Sequence, residues 1–327
     1  MSRRLRILTW HVHGNYLWYL SHARHDFFLV TRPGEGPGYA GRGGDLPFGP
    51  NVHEVPASEL AEHHFDVVLY QHATHWRVDR ALALTAKQRT LQTIVLEHDP
   101  PREHPTDTRH PAADSDAHIV HVTAFNAAMW DNGSASTSVI EHGVVVPEGV
   151  AYSGERGEGI VVVNHLAQRG RRLGADIFER VRHEVPLVLA GMDSTRSGGI
   201  GAVRNLELPA LMGRHRFFFN PIRWTSLGLA MLEAMHVGLP VVALATTEIP
   251  NVIRNEVNGY ADTRVERLVD VMRMLIERPE VAARWGAAGR AMARERFGIG
   301  RFAREWERLF ERVSGRSRSC VSGRSRS

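Results

Sequence analysis

The chain has 327 residues, 43% hydrophobic and 23% charged, the balance of a soluble globular protein with room for two domains of about 150 residues each. Its formal charge of +4 arises in the tail after Val313, where Arg316, Arg318, Arg324 and Arg326 stand without an acid; the rest is neutral, which removes the compositional case for nucleic-acid binding. The lone cysteine, Cys320, excludes an intrachain disulfide and a cysteine-based zinc site.

In chain order, the basic start Ser2-Arg3-Arg4 leads into an apolar run rather than a signal sequence, and no run reaches the ~18 apolar residues of a membrane span. A cytoplasmic location is the expectation, with membrane contact at most peripheral. Short continuous apolar runs, as parallel strands buried on both faces require, fall at Leu5–Thr9, Phe27–Thr31, Asp66–Tyr70, Thr93–Leu96, His118–Val122 and Ser138–Ile140. They resume at Ile160–Val163, Leu187–Ala190, Arg216–Phe219 and Val241–Leu244. Helical patterns at 78–92, 171–184 and 265–278 separate several of them, so the fold class is α/β with two doubly wound, Rossmann-like domains. Glycine and charge concentrate at 147–159. The expected domains are 1–150 and 151–295, followed by a helix at 296–313 packing across both and a disordered basic tail at 314–327. Phe302, Trp306 and Phe310 form one stripe of that helix.

The stretch Phe217–Ala243 carries the most chemistry. A buried strand ends at Asn220-Pro221, since proline cannot continue a central ladder. A short apolar helix follows from about Gly228 to Val237, and Gly238-Leu239-Pro240 stops it. The N–H groups at Ser226, Leu227, Gly228 and Leu229 need partners, and a glycine there lets an anion approach the backbone at the positive end of the helix dipole. Glu233 is the single charge on this buried helix. Either it pairs with Arg223 or Arg254, or it accepts hydrogen bonds from ligand hydroxyls, as an acid does for a ribose in dinucleotide folds.

Ligands of open α/β sheets sit outside the carboxyl ends of the strands. The residues there are His11, His13, Gly14, Gln71, His72, His98 and Asp99 in the first half, and Asn164, His165, Arg169, Arg171, Arg172 and Asp193 in the second. Most of the 19 histidines lie between residues 11 and 142, which raises metal-dependent hydrolysis as a rival. However, His118 and His121 stand on an expected strand, where a spacing of three turns them to opposite faces.

Ser226-Leu-Gly-Leu-Ala-Met-Leu-Glu-Ala-Met-His-Val-Gly-Leu-Pro240-Val-Val-Ala, Glu248-Ile-Pro-Asn-Val-Ile and Asn258-Gly259, supported by Ile140-Glu-His-Gly-Val144 and Asp116 to Thr123, together resemble the retaining GT-B glycosyltransferases of family 4, the group 1 glycosyl transferases. The resemblance spans about Leu5 to Phe310 and implies two Rossmann-like domains facing across a cleft. It also implies hexosyl transfer from a nucleotide diphosphate sugar with retention, in polysaccharide or glycoconjugate synthesis. The acceptor would be a saccharide, glycolipid or small molecule, and no metal or other cofactor is required. The family places one acid near the donor sugar and a second, seven intervening residues on, at the ribose. Here Glu233 matches the second position and Thr225 stands at the first. The cations that clamp the diphosphate fall to Arg169 and Arg172, because Lys87 is the only lysine and belongs to the first domain. The resemblance also gives His98 a contact with the donor sugar, oriented by Asp99, and makes His13-Gly14 a glycine turn facing donor phosphate or acceptor. Ser226, Leu227, Gly228, Leu229 and Glu248 complete the substrate-binding set. The alternatives are a sugar-nucleotide-binding protein without transfer activity, which Thr225 suggests, and a sugar-nucleotide epimerase of the same fold.

Overall fold

The computed structural model describes residues 3–34 and 36–322. The chain divides into two compact units, one from the N-terminus to Gly143 joined by Ile299 onward, the other Val144–Gly298. The first division falls a few residues before the expected 150/151. The C-terminal helix, Ile299–Ser322, counts with the first unit. That helix continues past Val313; the expected disordered tail falls almost wholly on residues outside those fully described.

The first unit is built on seven parallel strands: β1 (Arg6–Thr9), β2 (Asp26–Thr31), β3 (Val52–Pro56), β4 (Val67–Tyr70), β5 (Gln92–Glu97), β6 (His118–His121) and β7 (Thr137–Val139), in the order β3-β2-β1-β4-β5-β6-β7. Ile7 pairs with Phe27 on one side and Val67 on the other, so the chain reverses its winding direction between β1 and β4. Buried Leu, Ile and Val fill the central strands because both faces are covered. Phe302, Trp306 and Phe310 are wholly buried, and Trp306 Nε1 donates to the Tyr16 hydroxyl at 3.1 Å, fixing the last helix to the helix Gly14–Leu20.

The second unit has β8 (Arg156–Val162), β9 (Leu187–Ala190), β10 (His215–Asn220), β11 (Val241–Leu244) and β12 (Gly259–Asp262), again all parallel, in the order β12-β11-β10-β8-β9. This is the flavodoxin-like order, with its reversal between β8 and β10. Phe217 and Phe219 of β10 enter a core with Val161, Leu189, Val242 and Leu268.

Two helical expectations fail for local reasons. The pattern at 78–92 gives only a π-turn at His75–Asp79, a short helix at Arg80–Leu82 and a 3₁₀ turn at Gln88–Thr90. Thr85 and Gln88 explain the break: Gln88 N donates to Thr85 Oγ1 at 3.2 Å and Thr85 N to Gln88 Oε1 at 3.1 Å, a capping box that starts a new turn inside the pattern. Lys87 therefore precedes a turn and not a long helix. At 171–184, Gly174 adopts φ 82° and divides a 3₁₀ turn, Gly170–Leu173, from the helix Ala175–Val181. Among the described residues no helix is long and apolar enough to cross a membrane.

Candidate functional site

In the second unit the reversal between β8 and β10 opens the carboxyl edge at residues 164–173 and 221–229. The helix Leu229–Val237 follows, with Gly228 extended at its N-cap and no side chain capping it. Met231–Val237 are buried, whereas Gly228, Leu229 and Ala230 are half-buried, so only the N-terminal turn is accessible. A Cβ on Gly228 would meet nothing within 4 Å. The open space lies where an anion would approach free N–H groups. At the other end Gly238, φ 108°, donates to Ala234 O and Met235 O, the C-terminal stop expected for this helix.

Glu233 is 1% exposed on that helix. Of the two arginines considered as its counter-ion, Arg223 grips Asp176 at 2.5 and 2.9 Å and the carbonyl of Arg171 at 2.7 Å, and Arg254 is exposed. The Arg223 hydrogen bonds hold the Asp176 carboxyl below its usual range. Arg171 is exposed and pairs with Asp176 at 2.5 Å, whereas Arg169 and Arg172 are half-buried. Arg172 O accepts from Arg223 N at 3.0 Å and Trp224 N at 3.1 Å, binding this segment to the loop of half-buried Thr225, buried Ser226 and buried Leu227. The next loop joins through Thr246 Oγ1, which donates to Ile222 O at 2.9 Å. Glu248 there is buried, accepts from Asn251 Nδ2 at 3.1 Å and lies 3.9 Å from Arg296. Arg169, Arg172, Thr225, Ser226, Gly228 and Glu233 thus share one edge of one sheet.

Two residues of this edge, passed over when site residues are chosen from the sequence, are His165 and Asp193. They follow β8 and β9, both adopt left-handed backbone angles (φ 54° and 59°), and His165 Nδ1 meets Asp193 Oδ2 at 2.5 Å. Left-handed non-glycine residues cost roughly 1 kcal/mol or more each, and such strain collects at functional sites. Their place after two strands was readable in the chain; their pairing needed β8 and β9 to be neighbours.

In the first unit the reversal falls between β1 and β4, and Gln71 Nε2 ties the strand ends by donating to Thr9 Oγ1 and Trp10 O at 3.1 and 3.0 Å. His98 follows β5, the fifth strand rather than the fourth, because the edge strand β3 carries a histidine, an acid and a proline that hide it. The His98 ring lies 4.2 Å from that of His13 and 4.7 Å edge-on to Tyr16, which in turn lies 5.6 Å from His142. Burial, then the neighbouring His13, His142 and His72, push its pKa well below the usual histidine range. His98 is therefore a neutral imidazole at neutral pH, with a buried Nε2 that has no hydrogen-bond partner. Asp99, expected to orient it, turns its carboxylate to Arg102 while its carbonyl accepts from Trp130 Nε1 at 2.9 Å. Gly14 opens the following helix, and a Cβ there would press on His11 Nε2 at 3.0 Å and Leu46 at 3.1 Å, so tight packing accounts for this glycine. His118 and His121 occupy β6 and bond separately, His118 to Ser138 at 2.8 Å and His121 to Asn132 at 3.0 Å. Among the described residues no group of three or more His, Cys, Asp or Glu side chains is placed to hold a metal ion.

Two parallel sheets of these orders, with residues gathered at both reversals, define the GT-B fold. Sucrose-phosphate synthase from Thermosynechococcus elongatus superposes with a TM-score of 0.71 at 15% identity, over 95% of this chain and 99% of that one. HepE from Anabaena, solved with UDP and glucose, gives 0.70 at 13% identity over 95% and 100%. Residues 159–278, which contain the Gly228–Glu233 edge, match the family model described as glycosyl transferases group 1. A GDP-mannose-dependent alpha-(1-6)-phosphatidylinositol dimannoside mannosyltransferase from Mycobacterium tuberculosis is 28% identical over 114 residues, 35% of this chain and 28% of that protein. An uncharacterized 41.2 kDa protein in the cps region of Klebsiella pneumoniae is 31% identical over 84 residues, 26% and 20%. The matches thus span less than a third of the length of these curated relatives.

Proposed function

We propose that the chain is a glycosyltransferase that moves a hexosyl group from a nucleotide diphosphate sugar to a saccharide, glycolipid or small-molecule acceptor, with retention of configuration, in polysaccharide or glycoconjugate synthesis. The observation that carries the reading is the group 1 glycosyl transferase match over 159–278, together with the open Gly228 at the start of a buried helix bearing Glu233. The UDP-bound and UDP-glucose-bound HepE structures of the same fold support a nucleotide-sugar donor. The second unit binds the donor. Glu233 accepts from the ribose hydroxyls, and the N–H groups at Ser226 to Leu229 take the diphosphate with Arg169 and Arg172. As the glycosidic bond breaks, negative charge grows on the diphosphate, and preorganised donors at such a position contribute about 3 kcal/mol each. The leaving phosphate takes the acceptor proton. His98 hydrogen-bonds the transferred sugar as a neutral imidazole, which adds no positive charge beside an oxocarbenium-like centre, and Glu248 supports the donor loop. Arginine carries the counter-charge, so no metal is needed in this reading.

The test is incubation of the purified chain with a panel of nucleotide diphosphate sugars, following nucleotide release and, with acceptors, the anomeric configuration of the product by NMR. Release of a nucleoside diphosphate and a product of unchanged anomeric configuration are expected; an inverted product would overturn retention. Thr225 favours one second reading, donor binding without transfer, which the same panel separates as saturable binding with no release.

A further inference from the structure

The second unit has another concave surface, at the amino edge of its sheet, where residues just before β8 and β11 meet the helix Pro279–Arg296. This cavity of 390 Å³ is lined by Ala151, Tyr152, Val237, Gly238, Arg290 and Arg294, and by the exposed Ala283, Ala287 and Ala291 of the helix. The candidate donor residues lie at the opposite, carboxyl edge. A volume of this size suits a small ligand.

Its charge is not balanced by the protein. Arg290 and Arg294 stand one helical turn apart, so like charges face each other at i, i+4. Among the described residues no carboxylate pairs with either, and Arg290 Nε is buried without a hydrogen-bond partner. Burial, then Arg294, lowers the Arg290 pKa, with no acid acting in the other direction. The same two cations add to burial in lowering His236 beside them.

The nearby C-terminal carbonyls of the helix Leu229–Val237 accept from the backbone, and Arg290 Nε donates to none of them. Ala234 O accepts from Gly238 N and Leu239 N, Met235 O from Gly238 N, and Val237 O from Tyr152 N. The contrast with Arg216 is instructive. That arginine is buried without an acid and donates to Gly154 O and to Leu275 O and Ile276 O at the end of the helix Val265–Glu277. Arg290 is half-buried, and its buried Nε has no acceptor of that kind. The Tyr152 ring is fixed against the cavity by its hydroxyl, which donates to Arg216 O at 3.0 Å.

We propose that this cavity binds a phosphomonoester, with Arg290 and Arg294 holding the phosphate and Tyr152 and the alanine methyls packing against the esterified group. Two uncompensated guanidiniums match a dianion, the main form of a phosphomonoester at neutral pH. Its source is either a soluble metabolite or a lipid headgroup of the same chemistry.

The test uses the full chain with alanine methyls labelled with ¹³C and titrated with inorganic phosphate at constant ionic strength. Ala287 and Ala291 signals are expected to shift and saturate, and the apparent Kd to rise at least tenfold in Arg294→Gln, an exposed position whose replacement leaves the fold intact, and further in Arg290→Gln/Arg294→Gln. Unmoved alanine signals, or an unchanged titration in Arg294→Gln, would overturn the proposal. Sedimentation with phosphatidic acid vesicles but not with phosphatidylcholine, lost in Arg294→Gln, assigns a lipid source; saturation by phosphate without sedimentation assigns a soluble ester.

Discussion

At position 225 a threonine stands eight residues before Glu233 on the edge that carries Arg172 and Gly228. A hydroxyl can bond a sugar but cannot place negative charge near an oxocarbenium centre. If the site has lost activity through this residue, Thr225→Glu raises turnover of the preferred donor; if threonine is the working group, the same change lowers it at least tenfold. Steady-state kinetics on the purified variant decide between them, with thermal unfolding to confirm an intact fold. His98 presents the opposite case, a side chain whose environment is decided by burial. With its pKa well below the ordinary value, it stays a neutral imidazole at neutral pH, and the proposed contact with the sugar is a hydrogen bond. His98→Ala is expected to reduce turnover more than tenfold with little change in Tm, and His98→Gln to recover part of the loss; a reduction under tenfold sinks the role. His98 could be found in the sequence because it directly follows an apolar run. The pairing of the Asp99 carboxylate with Arg102, three residues on, could not, because it forms only once the loop has turned.

At the scale of elements, the helix Leu229–Val237 was readable almost to the residue. A glycine at each end, an apolar face all round and a following proline leave no other way to satisfy its backbone. Its two glycines do different work, and substitution separates them. Gly228 has φ −68° and open space before it, so Gly228→Asp keeps the fold but sets a carboxylate where the diphosphate is proposed to sit. Donor affinity measured by calorimetry is expected to fall more than tenfold with Tm nearly unchanged. Gly238 lies in the left-handed region, where an alanine is strained, and Gly238→Ala is expected to cost about 1 kcal/mol or more without touching donor affinity. Elements that were not readable share a cause: their signals are local and short. β3 is an edge strand with a polar, proline-ended sequence, β12 is Gly-Tyr-Ala-Asp, and Thr85–Gln88 interrupts a convincing helical period with one reciprocal pair of hydrogen bonds.

Across the whole molecule, several histidines are held neutral by burial. His25, His75, His98 and His121 in the first unit, and His215 and His236 in the second, all have pKa values lowered, in each case by burial first. A folded pKa below the unfolded value of about 6.5 means that the unfolded chain binds more protons between the two. Stability is then complete above pH 6.5 and declines as pH falls toward the folded value, by about 1.4 kcal/mol per pH unit for each such group. For His121, lowered to about 4 with only a neutral Asn132 as its side-chain partner, the window is pH 6.5 to about 4. His25, His75 and His215 have nearby carboxylates that offset part of the burial, so their share is smaller. Four of these six groups lie in the first unit, which therefore loses stability faster on acidification. Hydrogen exchange at pH 7.5 and 5 is expected to show β1, β4, β5 and β6 losing protection by a larger factor than β8, β10 and β11. His121→Gln should flatten the decline in the first unit alone, since glutamine can still bond Asn132 but takes up no proton. An equal loss of protection in both sheets, or an unchanged slope in His121→Gln, would show that acid acts through the exposed carboxylate pairs instead of the buried imidazoles.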